Sequence, residues 1–159
     1  MKSLHFFAAA LLLGVVAGAA HAQTMSYGPS ITLDQAKKAA APAIADARKN
    51  NWLMAIAIVD TAGDLVYFEK MDDTQTGSVG VAQSKARSAA RFKRATKAFQ
   101  DALAAGGEGL RILALDGAIP VDGGLPLVIG GRIVGAIGVS GGTSAQDGQV
   151  AAAGVAALK

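Results

Sequence analysis

An α+β domain, with a mainly antiparallel sheet of about five strands and helices packed on it, is what this sequence predicts. Three observations lead there. Short apolar runs are joined by turns rich in Gly and Asp, the connection that links antiparallel neighbours. Alanine-rich segments with apolar positions three and four apart alternate with those runs, which is the spacing of one helix face. Finally, neither repeat nor linker interrupts residues 31–159, so all the elements share one core.

Taken in order, residues 1–22 read as a cleavable signal peptide. Lys2 is followed by an uncharged apolar run to Ala20, then by Ala20-His21-Ala22, a small-x-small cleavage site. The run is shorter than the roughly 20 residues of a membrane span. Residues 23–30 form an extended lead. Thr32 and Gln35 have capping-box spacing and open a helix. Leu33, Ala36, Ala40, Ile44 and Ala47 mark its buried face, and Pro42 should kink or split it. Leu53–Val59 and Leu65–Met71 flank Asp60-Thr61-Ala62-Gly63-Asp64 and read as a hairpin.

Ser78–Arg91 and Thr96–Ala105 are the next two helices, the second ended by Gly106-Gly107. Three strands are then predicted: Leu110–Leu115, Leu125–Ile129 and Arg132–Val139, with Gly130-Gly131 as a tight turn between the last two. Thr143 or Ser144 caps a final helix; Asp147 stands in capping-box register with Ser144. The expected order is α-β-β-α-α-β-β-β-α.

Composition excludes several chemistries. The chain has no Cys, and both its histidines, His5 and His21, fall in the leader. Thiol catalysis, a Ser-His-Asp triad and most zinc sites therefore have no residues to use. The formal charge of +3 drops by one with Lys2, and the remaining bases are scattered among few aromatics, which is no nucleic-acid footprint. Nothing else in the chain would hold it to a membrane.

Three segments could still carry function. Ser140-Gly141-Gly142-Thr143-Ser144 joins a strand to a helix start, where free N–H groups and the helix dipole attract anions. Lys85–Lys97 concentrates cations, including Arg87, Arg91 and Arg94, shaped for paired hydrogen bonds to carboxylates. The loop from Met71 to Ser78 offers Asp72 and Asp73 to a hard cation, with loop and cap chemistry as the plainer role.

Ile56–Met71 (IAIVDTAGDLVYFEKM) resembles the "AVVD-x-x-G-x-L" signature of the GlcG/HbpS family of haem-binding proteins, which includes the C-terminal domain of PduO. Residues 85–96 are similar to that family's "KA-x-TA-x-x-F-x-RPT", with Ser88 for its threonine and Ala95 for its proline. Gly135–Gly142 matches its closing "GAIGVSGG", and the likeness runs through residues 31–158. The resemblance implies an α+β fold, a homo-oligomer and, for exported members, haem. The binding residues so implied are Lys85, Arg87, Ser88, Arg91, Arg94, Thr96 and Tyr67. Haem iron usually takes His, Cys, Met or Tyr. The candidates here are Tyr27, Tyr67, Met25, Met54 and Met71, or a hydroxyl at Ser88 or Thr96, so any iron should be weakly ligated and exchangeable.

Two other functions stay open. One is a small-molecule binder or enzyme using the Ser140–Ser144 turn with Asp72, Asp122 or Glu108. The other is a ligand-free oligomeric interaction protein, its alanine-rich helices buried between subunits.

Overall fold

The computed structural model describes residues 25–158. The leader read over residues 1–22 lies outside them. The elements are α1 (Leu33–Lys49), β1 (Ala55–Asp60), β2 (Leu65–Lys70), α2 (Ser78–Phe92), α3 (Thr96–Ala104), a 3-10 helix (Gly107–Ala114), β3 (Gly124–Ile129), β4 (Arg132–Ser140) and α4 (Ser144–Ala156). The strands form one antiparallel sheet in the order β2-β1-β4-β3. The domain is α+β as predicted, with four strands rather than five.

The missing strand is Leu110–Leu115. It winds into the 3-10 helix because its apolar residues have no second layer to face. Ile112 is buried while Leu110, Leu113 and Leu115 are exposed, which is no two-residue alternation. Pro42 also has less effect than its type suggests. α1 runs unbroken through it, and Ala36, Ala39, Ala40, Ala43, Ile44 and Ala47 are all buried by the same stripe. That packing outweighs the roughly 3 kcal/mol an interior proline costs.

Local chemistry explains the other boundaries. The Thr32 hydroxyl accepts from Gln35 N–H (3.2 Å) while the Gln35 side chain accepts from Thr32 N–H (2.9 Å), completing the expected box. One Asp60 oxygen accepts from the N–H groups of Ala62, Gly63 and Asp64, within 2.9–3.0 Å, and shapes the β1–β2 turn. Gly130 and Gly131 both have positive φ (56° and 73°), as a two-residue hairpin turn demands. The lead runs beside the start of β4: Gly28 N–H donates to the Ile133 carbonyl and Ile133 N–H to that of Ser26.

Two unlike layers sandwich the sheet. On one face α1 and α4 cover Ile56, Ile58, Leu127, Ile137 and Val139. Each is a bulky side chain whose burial contributes about 1.5–3 kcal/mol. On the other face α2 lies on Ala55, Ala57 and Ala136 through Ala82, Ala86, Ala89 and Ala90. Gly138 is what lets it come so near, since a Cβ there would overlap the Ala82 carbonyl.

Candidate functional site

The fold divides the basic segment among three environments. Lys85 lies on the buried stripe of α2, in register with Ala82 and Ala89, and is 1 % exposed. Its ammonium donates to an Asp147 carboxylate oxygen at 2.6 Å and to the Val139 carbonyl at 3.0 Å. Arg87 and Arg91 stand one turn apart and hold the β1–β2 turn, their Nε atoms donating to the carbonyls of Gly63 (3.1 Å) and Ala62 (2.9 Å). Arg94 lies beyond the end of α2, exposed, with its guanidinium 5.5 Å from the Phe99 ring centroid. Among the described residues none of these three arginines forms an ion pair.

Asp147 reveals what the Ser140–Ser144 turn does. Its second oxygen accepts from Gly142 N–H at 3.0 Å, and Thr143 forms a capping box with Gln146. Thr143, not Ser144, is the cap. The anion drawn to this helix start is thus supplied by the chain itself and is neutralised by Lys85. Burial pushes the Asp147 carboxyl above its ordinary value; the hydrogen bonds from Lys85, Gly142 and Gly141 pull the other way. Gly123, at φ +117°, closes the pocket: a Cβ there would sit 2.9 Å from the Lys85 ammonium. Ser140 completes the buried polar set, its hydroxyl donating to that of Ser78 at 3.2 Å.

The two hydroxyls of the basic segment are likewise engaged. Ser88 accepts from Ile119 N–H at 3.1 Å, and Thr96 accepts from Gly124 N–H at 2.9 Å. Both are fully buried. The structure therefore brings Lys85 and Ser140–Thr143 together around Asp147, and sets Ser88 and Thr96 as internal ties rather than as open ligands.

A hollow of about 700 Å³ opens between α3 and the 3-10 helix. Gly106 and Gly107, both at positive φ, turn the chain back, and Gly109 packs onto the Ala102 carbonyl, where a Cβ would overlap it. Phe99 and Ile112 form an apolar floor, alanines of both helices the walls, and Leu115 part of the mouth. Phe92 meets Phe99 edge-on at 5.3 Å between centroids and fixes that ring. Arg94 and Arg111 line the same hollow, and Glu108 lies 3.8 Å from Arg111. An apolar depression flanked by two guanidinium groups suits a flat, largely apolar molecule that carries carboxylates.

Tyr67 is elsewhere. It packs with the α1 side of the sheet, where its hydroxyl donates to Glu69 at 2.7 Å. That hydrogen bond raises its pKa above the ordinary 10.0. Lys37, Arg48 and Glu69 share with it a shallow depression of about 390 Å³. Asp72 and Asp73 are exposed, and no group of three or more metal-binding side chains occurs among the described residues. Asp122 lies near α4 rather than at the hollow, its carboxylate accepting from Gly123 N–H. Reading residues 110–115 as a strand hid Arg111 and with it the hollow. The signal was the spacing of Leu110 and Leu113, three apart beside Arg111.

A family model described as "Haem degrading protein HbpS-like" matches residues 31–156. Protein GlcG of Escherichia coli strain K12 is 38% identical over 95 residues, which cover 60% of this chain and 69% of that protein. The crystal structure of HbpS superposes with a TM-score of 0.76 at 29% identity, covering 89% of this chain and 99% of that one. A crystal structure described as a PduOC:heme complex gives a TM-score of 0.73 at 25% identity, covering 82% and 96%.

Proposed function

The chain belongs to the HbpS-like family, and from that premise we propose that it is an exported haem-binding accessory protein — a carrier, scavenger or sensor component — whose haem is weakly held and exchangeable. One observation carries the reading: the apolar hollow between α3 and the 3-10 helix, with Arg94 and Arg111 at its sides. The likeness to a structure described as a haem complex supports it. Periplasmic or secreted localisation rests on the leader sequence, and homo-oligomerisation on the family resemblance.

The fit of haem divides by part. The porphyrin plane matches the Phe99 and Ile112 floor, and the propionates match the guanidinium groups, as paired N–H donors suit carboxylates. Of the cluster, Arg94 lines the hollow, its Nε donating to the Phe92 carbonyl at 3.2 Å, whereas Arg87 and Arg91 hold the β1–β2 turn. For the iron, the lining supplies no imidazole, thiolate, thioether or phenol.

Titrating the purified protein with hemin tests the reading. A Soret shift that saturates at a fixed ratio is expected. Hydrogen bonds to charged groups contribute about 1.5–3 kcal/mol, so Arg94→Ala and Arg111→Ala should each weaken binding about tenfold or more. An unchanged Soret band at stoichiometric hemin ends the haem reading. Binding that both variants leave untouched moves the site away from this hollow.

A further inference from the structure

Resting on the haem reading above, we infer that the hollow recognises the porphyrin ring and its carboxylates and leaves the metal unligated, so that metal-free and metallated dicarboxylic porphyrins bind alike. The reason is the chemistry of the walls. They offer hydrocarbon from Phe99, Ile112 and Leu115 and charge from Arg94 and Arg111, all of which address the organic part of the ligand. Iron in proteins is gripped by His, Cys, Met or Tyr, and none of these lines the hollow.

Among the described residues, the donors found elsewhere do not line the hollow: Met25 is exposed outside it, and the others are tied or packed in place. The Tyr27 hydroxyl donates to the Ala90 carbonyl at 2.8 Å. Tyr67 and Met71 pack against the α1 and α4 face of the sheet, and Met54 is 0 % exposed within that core. Ser88 and Thr96 are tied to Ile119 and Gly124. One oxygen donor remains in the lining, the Glu108 carboxylate, whose side chain is 91% exposed and beside Arg111. Its exposure leaves it solvated, unlike the buried Phe99 and Ile112 of the floor. Affinity then comes from apolar contact and carboxylate pairing, and both are the same whether the ring holds iron, zinc or two protons.

Binding of hemin and of metal-free protoporphyrin to the full-length protein as purified, followed by absorption and by porphyrin fluorescence, tests this directly. The two dissociation constants should agree within about threefold, Arg94→Ala should weaken both in parallel, and Glu108→Gln, which removes a negative charge beside Arg111, should shift both alike and leave their ratio unchanged. Hemin binding tenfold or more tighter than the metal-free ring would overturn the inference while leaving the haem reading intact. A loss of hemin preference in Glu108→Gln would identify the missing ligand. If neither porphyrin binds, the haem reading falls as well.

Discussion

Lys85 and Arg94 belong to one basic run, yet the fold gives them opposite surroundings. Lys85 is sealed between α2, β4 and the start of α4, with its charge answered by Asp147 at 2.6 Å and a backbone carbonyl at 3.0 Å. Arg94 sits in water over an aromatic ring, with no carboxylate paired to it among the described residues. Position on the helix makes the difference. Lys85 shares the alanine stripe that faces the sheet, whereas Arg94 falls after Lys93, whose positive φ of 55° ends α2 and throws the chain outward. A cation in the first setting can only hold the molecule together; one in the second is free to meet a ligand.

The largest expected effect lies on the sealed side. Lys85→Ala leaves a buried carboxylate without its partner, which should cost about 3–5 kcal/mol in urea unfolding. The double variant Lys85→Met with Asp147→Leu should recover much of that loss, because an apolar pair of similar volume removes the charge problem. A double variant as unstable as Lys85→Ala would show that shape, not charge, governs the pocket.

A smaller effect concerns pH. Asp147 has a folded pKa above its ordinary 3.8, chiefly through burial, so the folded state holds its proton more tightly than the unfolded chain. The stability linked to that proton is present below the unfolded value and is lost as pH rises through the folded one. Wild type should therefore lose stability relative to Asp147→Asn over the acid range just above 3.8, seen as a slope in their difference during denaturation at stepped pH. The opposite slope would mean that Lys85 and the Gly142 N–H outweigh burial.

The smallest effect is on the open side. Arg94→Ala and Arg111→Ala should shift stability by no more than about 0.5 kcal/mol, since both side chains are exposed. A clear drop in melting temperature would make these arginines structural and dissolve the contrast with Lys85.

Much of this contrast could be read from local sequence, and part could not. The Thr32–Gln35 capping box, the Asp60 and Gly130-Gly131 turns and the break between α2 and α3 depend on neighbours within a few residues, so their spacing announces them; at α4 the spacing offers Ser144 with Asp147, whereas the box that forms is Thr143 with Gln146. The 3-10 helix was misread because residues 110–115 are as apolar as a strand, while their burial is decided by what lies over them. Lys85 pairing with Asp147 depends on a contact 62 positions apart. Its one local sign was a lysine standing in register with Ala82, Ala86 and Ala89. For the candidate site, Arg94 was visible as a cation, but Arg111 and the Phe99 floor emerge only when α3 folds back on the glycine pair that follows it.

The alanine seam under α2 has a consequence for how this sequence can drift. Where isoleucine meets valine, as under α1 and α4, one partner can gain a methylene while another gives one up. Ala82, Ala86, Ala57 and Gly138 hold almost no atoms to surrender, so no heavier replacement at one of them can be offset by a lighter one opposite. Neutral variation is therefore channelled to the far layer of the sandwich, and the helix that carries Lys85 stays pinned at one distance from the sheet.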